Sequence, residues 1–232
     1  MFESLILAGG QGTRLKDVTG DIPKPMVDVN GKPFIYYLME RLVKQGCSNI
    51  TLSLCYRADY IIDKIENDNP VPCKIDYCIE PQPLGTGGAI KFAMSKIKSN
   101  NCLILNGDTI SEINYQSMIN LSENSDLVIS GMYVPDTSRY GTLLVDSDNN
   151  LVSMCEKGKS GEGIINSGVY YLNKSKILNY HSDTFSFETD FIKSLHTKIK
   201  TFISNGYFID IGIPEDYYKA CRDFSSSNQV NF

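Results

Sequence analysis

The chain has 232 residues, 42% of them hydrophobic and 21% charged, with a net charge of −5 at pH 7. That length buries one sizeable core, and the acidic balance argues against the broad basic face that nucleic-acid phosphates select. No apolar run approaches the roughly 18 residues of a membrane span and no basic segment opens a secretory signal, so a cytoplasmic protein with neither nucleic-acid nor membrane partner is expected.

The first apolar run, Ser4 to Ala8, reads as a strand that empties into Gly9-Gly10-Gln11-Gly12-Thr13-Arg14-Leu15 and then Pro23-Lys24-Pro25-Met26. Glycines at 9, 10 and 12 leave backbone N–H groups uncovered, so this turn can close on a polyphosphate, with Arg14 and Lys24 as nearby positive charges. Ile35, Leu38, Met39, Leu42 and Val43 then mark one face of a helix that Gly46 ends, and Asn49 to Leu54 is a β-branched strand. Ile61, Ile62 and Ile65 give a second helical stripe, stopped at Asn67-Asp68-Asn69-Pro70 before a strand from Lys74 to Ile79. Strands and helices alternating at this spacing predict right-handed crossovers and a parallel sheet.

Glu80-Pro81-Gln82-Pro83-Leu84-Gly85-Thr86-Gly87-Gly88 is a second glycine-rich loop, followed by a helical pattern from Ala89 to Ile97. The buried-type strand Cys102–Leu105 runs into Asn106-Gly107-Asp108, which puts an acid at the carboxyl edge where open α/β sheets bind ligands. From about residue 126 the pattern turns antiparallel: Leu127 to Tyr133, Thr142 to Val145, a turn at 148–150, Leu151 to Cys155, and Ile164 to Leu172. A helix over Phe187 to Leu195, a strand over Gly206 to Ile211 carrying Asp210, and a helix from Pro214 to Phe224 complete the chain before a polar tail. The expected fold is α/β: a Rossmann-like mixed, mainly parallel sheet of about seven or eight strands flanked by helices, with a smaller antiparallel sugar-binding elaboration. One domain is expected over 1–224, mainly nucleotide-binding over 1–125 and mainly sugar-phosphate-binding over 126–224, with a mobile tail over 225–232. Seven cysteines with no C-x-x-C pair read as reduced core thiols rather than a disulfide or zinc framework, and His181 and His196 read as surface residues in helical company.

Spelling decides between phosphate-binding patterns. In the first loop Leu15 stands where a dinucleotide fingerprint needs its third glycine, and Gly158-Lys159-Ser160 lacks the leading glycine of a Walker loop, since Ser153 is there. The run Leu7-Ala8-Gly9-Gly10-Gln11-Gly12-Thr13-Arg14-Leu15 with Pro23-Lys24-Pro25-Met26 resembles the sugar-1-phosphate nucleotidyltransferase family. The resemblance continues through Leu84-Gly85-Thr86-Gly87-Gly88-Ala89, Asn106-Gly107-Asp108, Arg139-Tyr140-Gly141, Glu156-Lys157, Asn166-Ser167-Gly168 and Ile209-Asp210-Ile211-Gly212, and so covers residues 2 to 222. Within the family, the chain is most similar to the D-glycero-α-D-manno-heptose 1-phosphate guanylyltransferases, with Ile211 to Tyr217 adding to the likeness.

The resemblance implies an enzyme in which a sugar 1-phosphate oxygen attacks the α-phosphorus of a nucleoside triphosphate and pyrophosphate leaves, here with GTP and heptose 1-phosphate as partners. Two polyanions must then be brought together, which requires cations on both sides. By the same resemblance Arg14 serves the β,γ-phosphates, Lys24 the α-phosphate and Lys157 the sugar phosphate, while Asp108 and Asp210 are the ligands of Mg²⁺, which favours one or two carboxylates with phosphate oxygens. A lone aspartate after a strand is commonly a cap or turn residue, and it is the company of the other motifs that changes the reading. Leu7, Ala8, Gly9, Gly10, Gly12, Thr13, Gly85, Thr86 and Gly107 are expected at the nucleotide, and Gly141, Glu156 and Asn166 at the sugar.

Relatives contact the base with the residue five before the first glycine of the second loop, which here is Glu80. A carboxylate accepts both N1–H and N2–H₂ of guanine in a fork, whereas a uracil or thymine edge would set one oxygen against a carbonyl. Two other readings stay open: a sister enzyme for mannose 1-phosphate, or for glucose 1-phosphate with UTP, CTP or dTTP, and a non-catalytic nucleotide-binding subunit. The sequence is compatible with a homo-oligomer and specifies none.

Overall fold

The structure, a computed structural model, describes residues 1–155, 158 and 160–225. In chain order its first half runs β1 (Phe2–Leu7), the helical turn α1 (Lys16–Thr19), a short hairpin β2 (Asp28–Val29) and β3 (Lys32–Pro33), α2 (Phe34–Lys44), β4 (Cys47–Leu54), α3 (Ala58–Asp68), β5 (Lys74–Ile79), α4 (Gly85–Met94) and β6 (Asn101–Asn106). The second half runs β7 (Thr109–Ser111), α5 (Tyr115–Asn120), β8 (Leu127–Val134), β9 (Thr142–Val145), β10 (Leu151–Cys155), β11 (Gly163–Asn173), α6 (Lys174–Leu178), a π-helical segment Phe187–Ile192, β12 (Lys200–Ser204), β13 (Phe208–Asp210) and α7 (Pro214–Asp223).

Among the described residues, nine strands form one mixed sheet. β6, β1, β4 and β5 lie side by side and parallel, and β11 joins β6 antiparallel, carrying β8 and β9 and through them β12 and β10. The chain goes from β1 outward to β4 and β5, then crosses back through α4 to β6 on the other side of β1. That reversal of strand order opens a crevice at the carboxyl ends of β1 and β6, the usual ligand position in such sheets.

β1 and β6 are buried on both faces, which explains their near-continuous apolar spelling, whereas the edge strand β5 is only partly buried. On one face Ile6, Leu103 and Leu105 pack with Leu38 and Leu42 of α2 and Ile61 of α3. On the other, Leu5 and Ile104 meet Ile90 and Ala93 of α4, with Tyr170 of β11. Burial of these aliphatic side chains, worth about 1.5–3 kcal/mol each, holds the layers together.

The α/β class and the antiparallel second half agree with the sequence reading; β2, β3, β7, α5 and α6 are not anticipated there, and other details differ. The sheet has nine strands because β12, one of the strands from the second half, pairs parallel with β8 over Lys200–Ser204, where the sequence shows only weak alternation. The predicted helix at Phe187 is a π-helical turn, widened so that both Asp190 N and Phe191 N donate to Ser186 O. His181 and His196 are exposed as expected but lie in irregular backbone. All seven cysteines are unpaired, yet only Cys47, Cys78 and Cys102 are fully buried. Glu156, Lys157, the Thr13 side chain and tail residues 226–232 lie outside the described residues.

Candidate active site

The strand register sets the floor of the site. Leu7 of β1 pairs with Ser53 of β4 on one side and Asn106 of β6 on the other, so three strand ends finish level. Above them is a cavity of about 450 Å³ lined by Leu7, Ala8, Gly9, Gly10, Gly12, Arg14, Lys24, Glu80, Gly85, Thr86 and Asp108, together with Ser53, Cys55, Pro83 and Asn106. The glycines of the first loop have separate reasons. Gly12 takes a left-handed φ of +62° and a Cβ there would lie 2.9 Å from Lys24 Cβ, whereas a Cβ on Gly10 would touch nothing within 4 Å. Gly12 thus seats the lysine stem, and Gly10 leaves its backbone open to the cavity.

Glu80 follows β5 and is 9% exposed. Its carboxylate accepts from Ser53 Oγ at 3.1 Å and from the Leu84 amide at 3.2 Å. Burial pushes its carboxyl up, and those two hydrogen bonds pull in the opposite direction.

Asp108 and Asp210, 102 residues apart in sequence, are joined by a small ladder. β13 pairs antiparallel with β7 so that Asp210 stands opposite Thr109, and Ile211 N donates to Asp108 O at 3.0 Å. Between the two carboxylates sits Lys24, its Nζ 2.5 Å from Asp108 Oδ2 and 3.7 Å from Asp210 Oδ1. Pro23 and Pro25 flank the lysine in a short helical turn and fix its backbone. Burial and the Asp108 charge push the Asp210 carboxyl up, against the pull of Lys24 and the Gly212 amide. Among the described residues no cluster of three or more His, Cys, Asp or Glu gathers as a complete metal cage. Two carboxylates already drawn to one cation are a donor set that fits a hard divalent ion whose other ligands are waters and substrate oxygens.

A second cavity of about 650 Å³ adjoins the first, the two sharing Arg14, Asn106 and Asp108. It is lined by Gly141, Asn166 and Asp210, and also by Tyr140, Gly168, Glu188, Thr189, Lys193 and Phe208. A bulge in β11 makes this wall: Asn166 faces Gly131 and Tyr170 faces Ile129, so the strand gains two residues between them. Gly168 takes φ +73° there, and a Cβ would lie 2.5 Å from Asn106 Nδ2. Asn166 Nδ2 donates to Glu188 Oε1 at 2.8 Å, and the Tyr170 hydroxyl donates to the same oxygen at 2.6 Å. Burial and the Glu188 charge hold the Tyr170 hydroxyl well above its ordinary range.

Two expected nucleotide residues have a packing explanation. Gly107 lines neither cavity; it donates to Leu7 O at 2.9 Å, and a Cβ would lie 2.6 Å from that oxygen. Gly85 does line the first cavity, but at φ +72° its Cβ would also lie 2.6 Å from Phe185 O. Glu188 and Lys193 escaped sequence reasoning because a charged residue on an amphipathic helical pattern reads as a solvated face; no spacing signal marks them. Asn106 and Tyr140 belonged to motifs already noticed, and only their neighbours had been assigned.

A family model described as Nucleotidyl transferase matches residues 3–227. The chain is similar to the D-glycero-alpha-D-manno-heptose 1-phosphate guanylyltransferase of Aneurinibacillus thermoaerophilus, 40% identical over 226 residues that cover 95% of this chain and 97% of that protein. Among solved structures it is similar to HddC from Yersinia pseudotuberculosis, at 56% identity and a TM-score of 0.92, covering 97% of this chain and 100% of that one. The same protein complexed with GMP-PN superposes with a TM-score of 0.91.

Proposed function

The chain belongs to the nucleotidyl transferase family, and from that membership we infer that it transfers a guanylyl group from GTP to D-glycero-α-D-manno-heptose 1-phosphate, yielding GDP-heptose and pyrophosphate. The observation that carries this reading is the near full-length similarity to a heptose 1-phosphate guanylyltransferase, joined to two cavities that meet at Arg14 and Asp108.

The first cavity takes GTP and the second the sugar phosphate. The open backbone at Gly10 donates to the triphosphate, Arg14 neutralises charge on the departing pyrophosphate, and the Lys24 ammonium moves from the carboxylates onto the α-phosphate as the nucleotide enters. Glu80 reads the guanine edge with both oxygens. Asn166, Gly141 and Glu188 hold the sugar hydroxyls so that the phosphate oxygen stands in line with the α-phosphorus; that oxygen is already a nucleophile and needs alignment more than a base. Asp108 and Asp210 would hold Mg²⁺, which when bound screens phosphate charge and orients phosphate oxygens. Lys157 and Glu156 keep the sugar-phosphate and sugar roles that the family resemblance implies.

No helix among the described residues is long and apolar enough to cross a membrane. A nucleotide-activated heptose suits the assembly of lipopolysaccharide or capsule. The test is pyrophosphate release with GTP, ATP, UTP, CTP and dTTP against heptose, mannose and glucose 1-phosphates. GTP with the heptose phosphate should turn over fastest, and no turnover of GTP with either manno-configured sugar would overturn the reading.

A further inference from the structure

Thr86 lines the nucleotide cavity, yet its hydroxyl oxygen accepts a hydrogen bond from Phe187 N at 2.9 Å, across 101 residues of sequence. The residue after Phe187 is Glu188, which lines the other cavity and holds Asn166 and Tyr170 through Oε1. The two segments are laced along their length: Phe185 N donates to Leu84 O at 3.0 Å and Gly87 N to Phe185 O at 2.9 Å. Those backbone bonds end at Phe185. Between the second glycine-rich loop and the backbone beside Glu188, the described tie is the Thr86 hydroxyl.

Glycines keep this contact close. A Cβ on Gly87 would lie 2.2 Å from the Phe185 ring, and one on Gly88 would lie 2.3 Å from Asp183 O. Lys91, one turn further along α4, caps the approach by donating to Tyr180 O at 2.8 Å, Ser182 O at 3.1 Å and Asp183 Oδ1 at 2.7 Å. The second glycine-rich loop is therefore largely a seat for the chain entering the π-helical turn. That turn is short and wide, and Glu188 is its second residue.

We propose that Thr86 is a positioning residue for the sugar phosphate: its hydroxyl anchors the Phe187 amide and thereby sets the Glu188 carboxylate in the second cavity. The proposal rests on the reading that this cavity takes the sugar 1-phosphate. Thr86→Val keeps the shape of the side chain and removes the acceptor, leaving the Phe187 N–H without its bond. The KM for the sugar 1-phosphate should rise about fivefold to tenfold, the effect of one buried donor left unpaired. The dissociation constant for GTP, measured by titration calorimetry without sugar, should change less than the sugar KM, since the hydroxyl oxygen is already paired with the Phe187 amide.

Thr86→Ser restores an acceptor and should restore the sugar KM even if Thr86→Val folds poorly. Glu188→Gln should raise the same KM, and adding Thr86→Val to it should cost less than Thr86→Val costs alone, because both act through one carboxylate. If Thr86→Val instead weakens GTP binding at least as much as it raises the sugar KM, or if Thr86→Ser loses sugar affinity like Thr86→Val, the positioning role is overturned. If Glu188→Gln moves the sugar KM and Thr86→Val does not, the proposal fails while the cavity assignment stands. If Glu188→Gln leaves the sugar KM unchanged, the cavity assignment itself fails.

Discussion

Lys24 Nζ lies 2.5 Å from Asp108 Oδ2 and 3.7 Å from Asp210 Oδ1, so one ammonium holds both acids of the site together. An ammonium at that spot repels any second cation that would share the carboxylates; two unit charges at 4 Å interact by about 4 kcal/mol at an effective dielectric near 20. In the proposed mechanism the nucleotide relieves the conflict by giving the lysine a phosphate to pair with. Lys24→Met should therefore bind Mn²⁺ more tightly than the natural protein when no nucleotide is present, by about three- to tenfold after solvent screening. Turnover should fall by about a hundredfold or more with the loss of the charge at the α-phosphate. Titration of Mn²⁺ by calorimetry checks the first effect, and weaker Mn²⁺ binding in Lys24→Met would show that the ammonium organises the acids rather than competing with a metal.

Asp108→Ala removes one member of the pair while leaving the β7–β13 ladder, whose bonds are made by backbone, in place. The expected result is a folded protein with turnover reduced by about a thousandfold or more. Circular dichroism and the pyrophosphate-release rate, measured side by side, separate loss of fold from loss of chemistry. A near-normal rate would remove Asp108 from the metal assignment.

Burial raises the Glu80 carboxyl above its ordinary value of 4.5, which yields two opposite pH dependences. The folded protein holds that proton to higher pH than the unfolded chain does. Stability linked to the protonated form is thus complete below the unfolded value and lost as pH rises through the folded one. In the proposed mechanism GTP affinity runs the other way, because a guanine fork needs the carboxylate, and it should decline on acidification sooner than an exposed glutamate would dictate. Glu80→Gln can keep both contacts, its carbonyl accepting from Leu84 N while its amide donates to Ser53. Without nucleotide its Tm at pH 7.5 should equal or exceed that of the natural protein, with any gain shrinking as pH falls. Its preference for GTP over ATP and UTP should drop by about tenfold or more. An unchanged preference would remove Glu80 from base reading.

Arg139 reaches Asp216 of α7 with both guanidinium nitrogens, at 2.5 and 3.3 Å. Its neighbour Tyr140 stands edge-on to Phe208 at 5.4 Å, and both rings line the second cavity. The fork thus ties the cavity wall to the helix that follows Asp210. Arg139→Met should raise the sugar-phosphate KM by about three- to tenfold with little change in GTP affinity. Arg139→Lys should restore only part of it, since an ammonium cannot make the fork. Steady-state kinetics with each substrate varied in turn distinguishes this from general loosening, which would move both constants.

The parallel half of the fold was legible because helical stripes alternate with short strand runs there, and β1 and β6 are apolar runs closed at once by Gly or Asn, at Leu7-Ala8-Gly9 and Leu105-Asn106-Gly107. β12 was not, since Lys200–Ser204 gains its strand conformation from pairing with β8 rather than from its own alternation. Arg14, Lys24, Asp108 and Asp210 were legible as motif residues, but their convergence depends on the β7–β13 ladder, a contact of long sequence separation that no local pattern encodes. Glu188 was hidden for the same reason, its place set by the seat at Thr86 and the partners Asn166 and Tyr170.

The two glycine-rich loops look alike in sequence and should respond to alanine in opposite ways. At Gly10 a Cβ meets nothing within 4 Å, so Gly10→Ala should leave Tm within about a degree while raising the KM for GTP, because the methyl intrudes only on the ligand's side. At Gly87 the added methyl would lie 2.2 Å from Phe185, whose ring is itself held against Tyr180 at 4.3 Å and near Phe191 at 6.4 Å. A ring so enclosed cannot step aside freely, and overpacking of this kind costs about 1–3 kcal/mol. Better helix propensity in α4 returns only about 0.5–1 kcal/mol of that. Gly87→Ala should therefore lower Tm by several degrees, at roughly 2–4 °C per kcal/mol for a chain of this size. Thermal denaturation of the two variants without ligand, followed by GTP kinetics, checks the contrast. A stable Gly87→Ala protein with a raised GTP KM would mean that the second loop, like the first, is kept bare for the nucleotide.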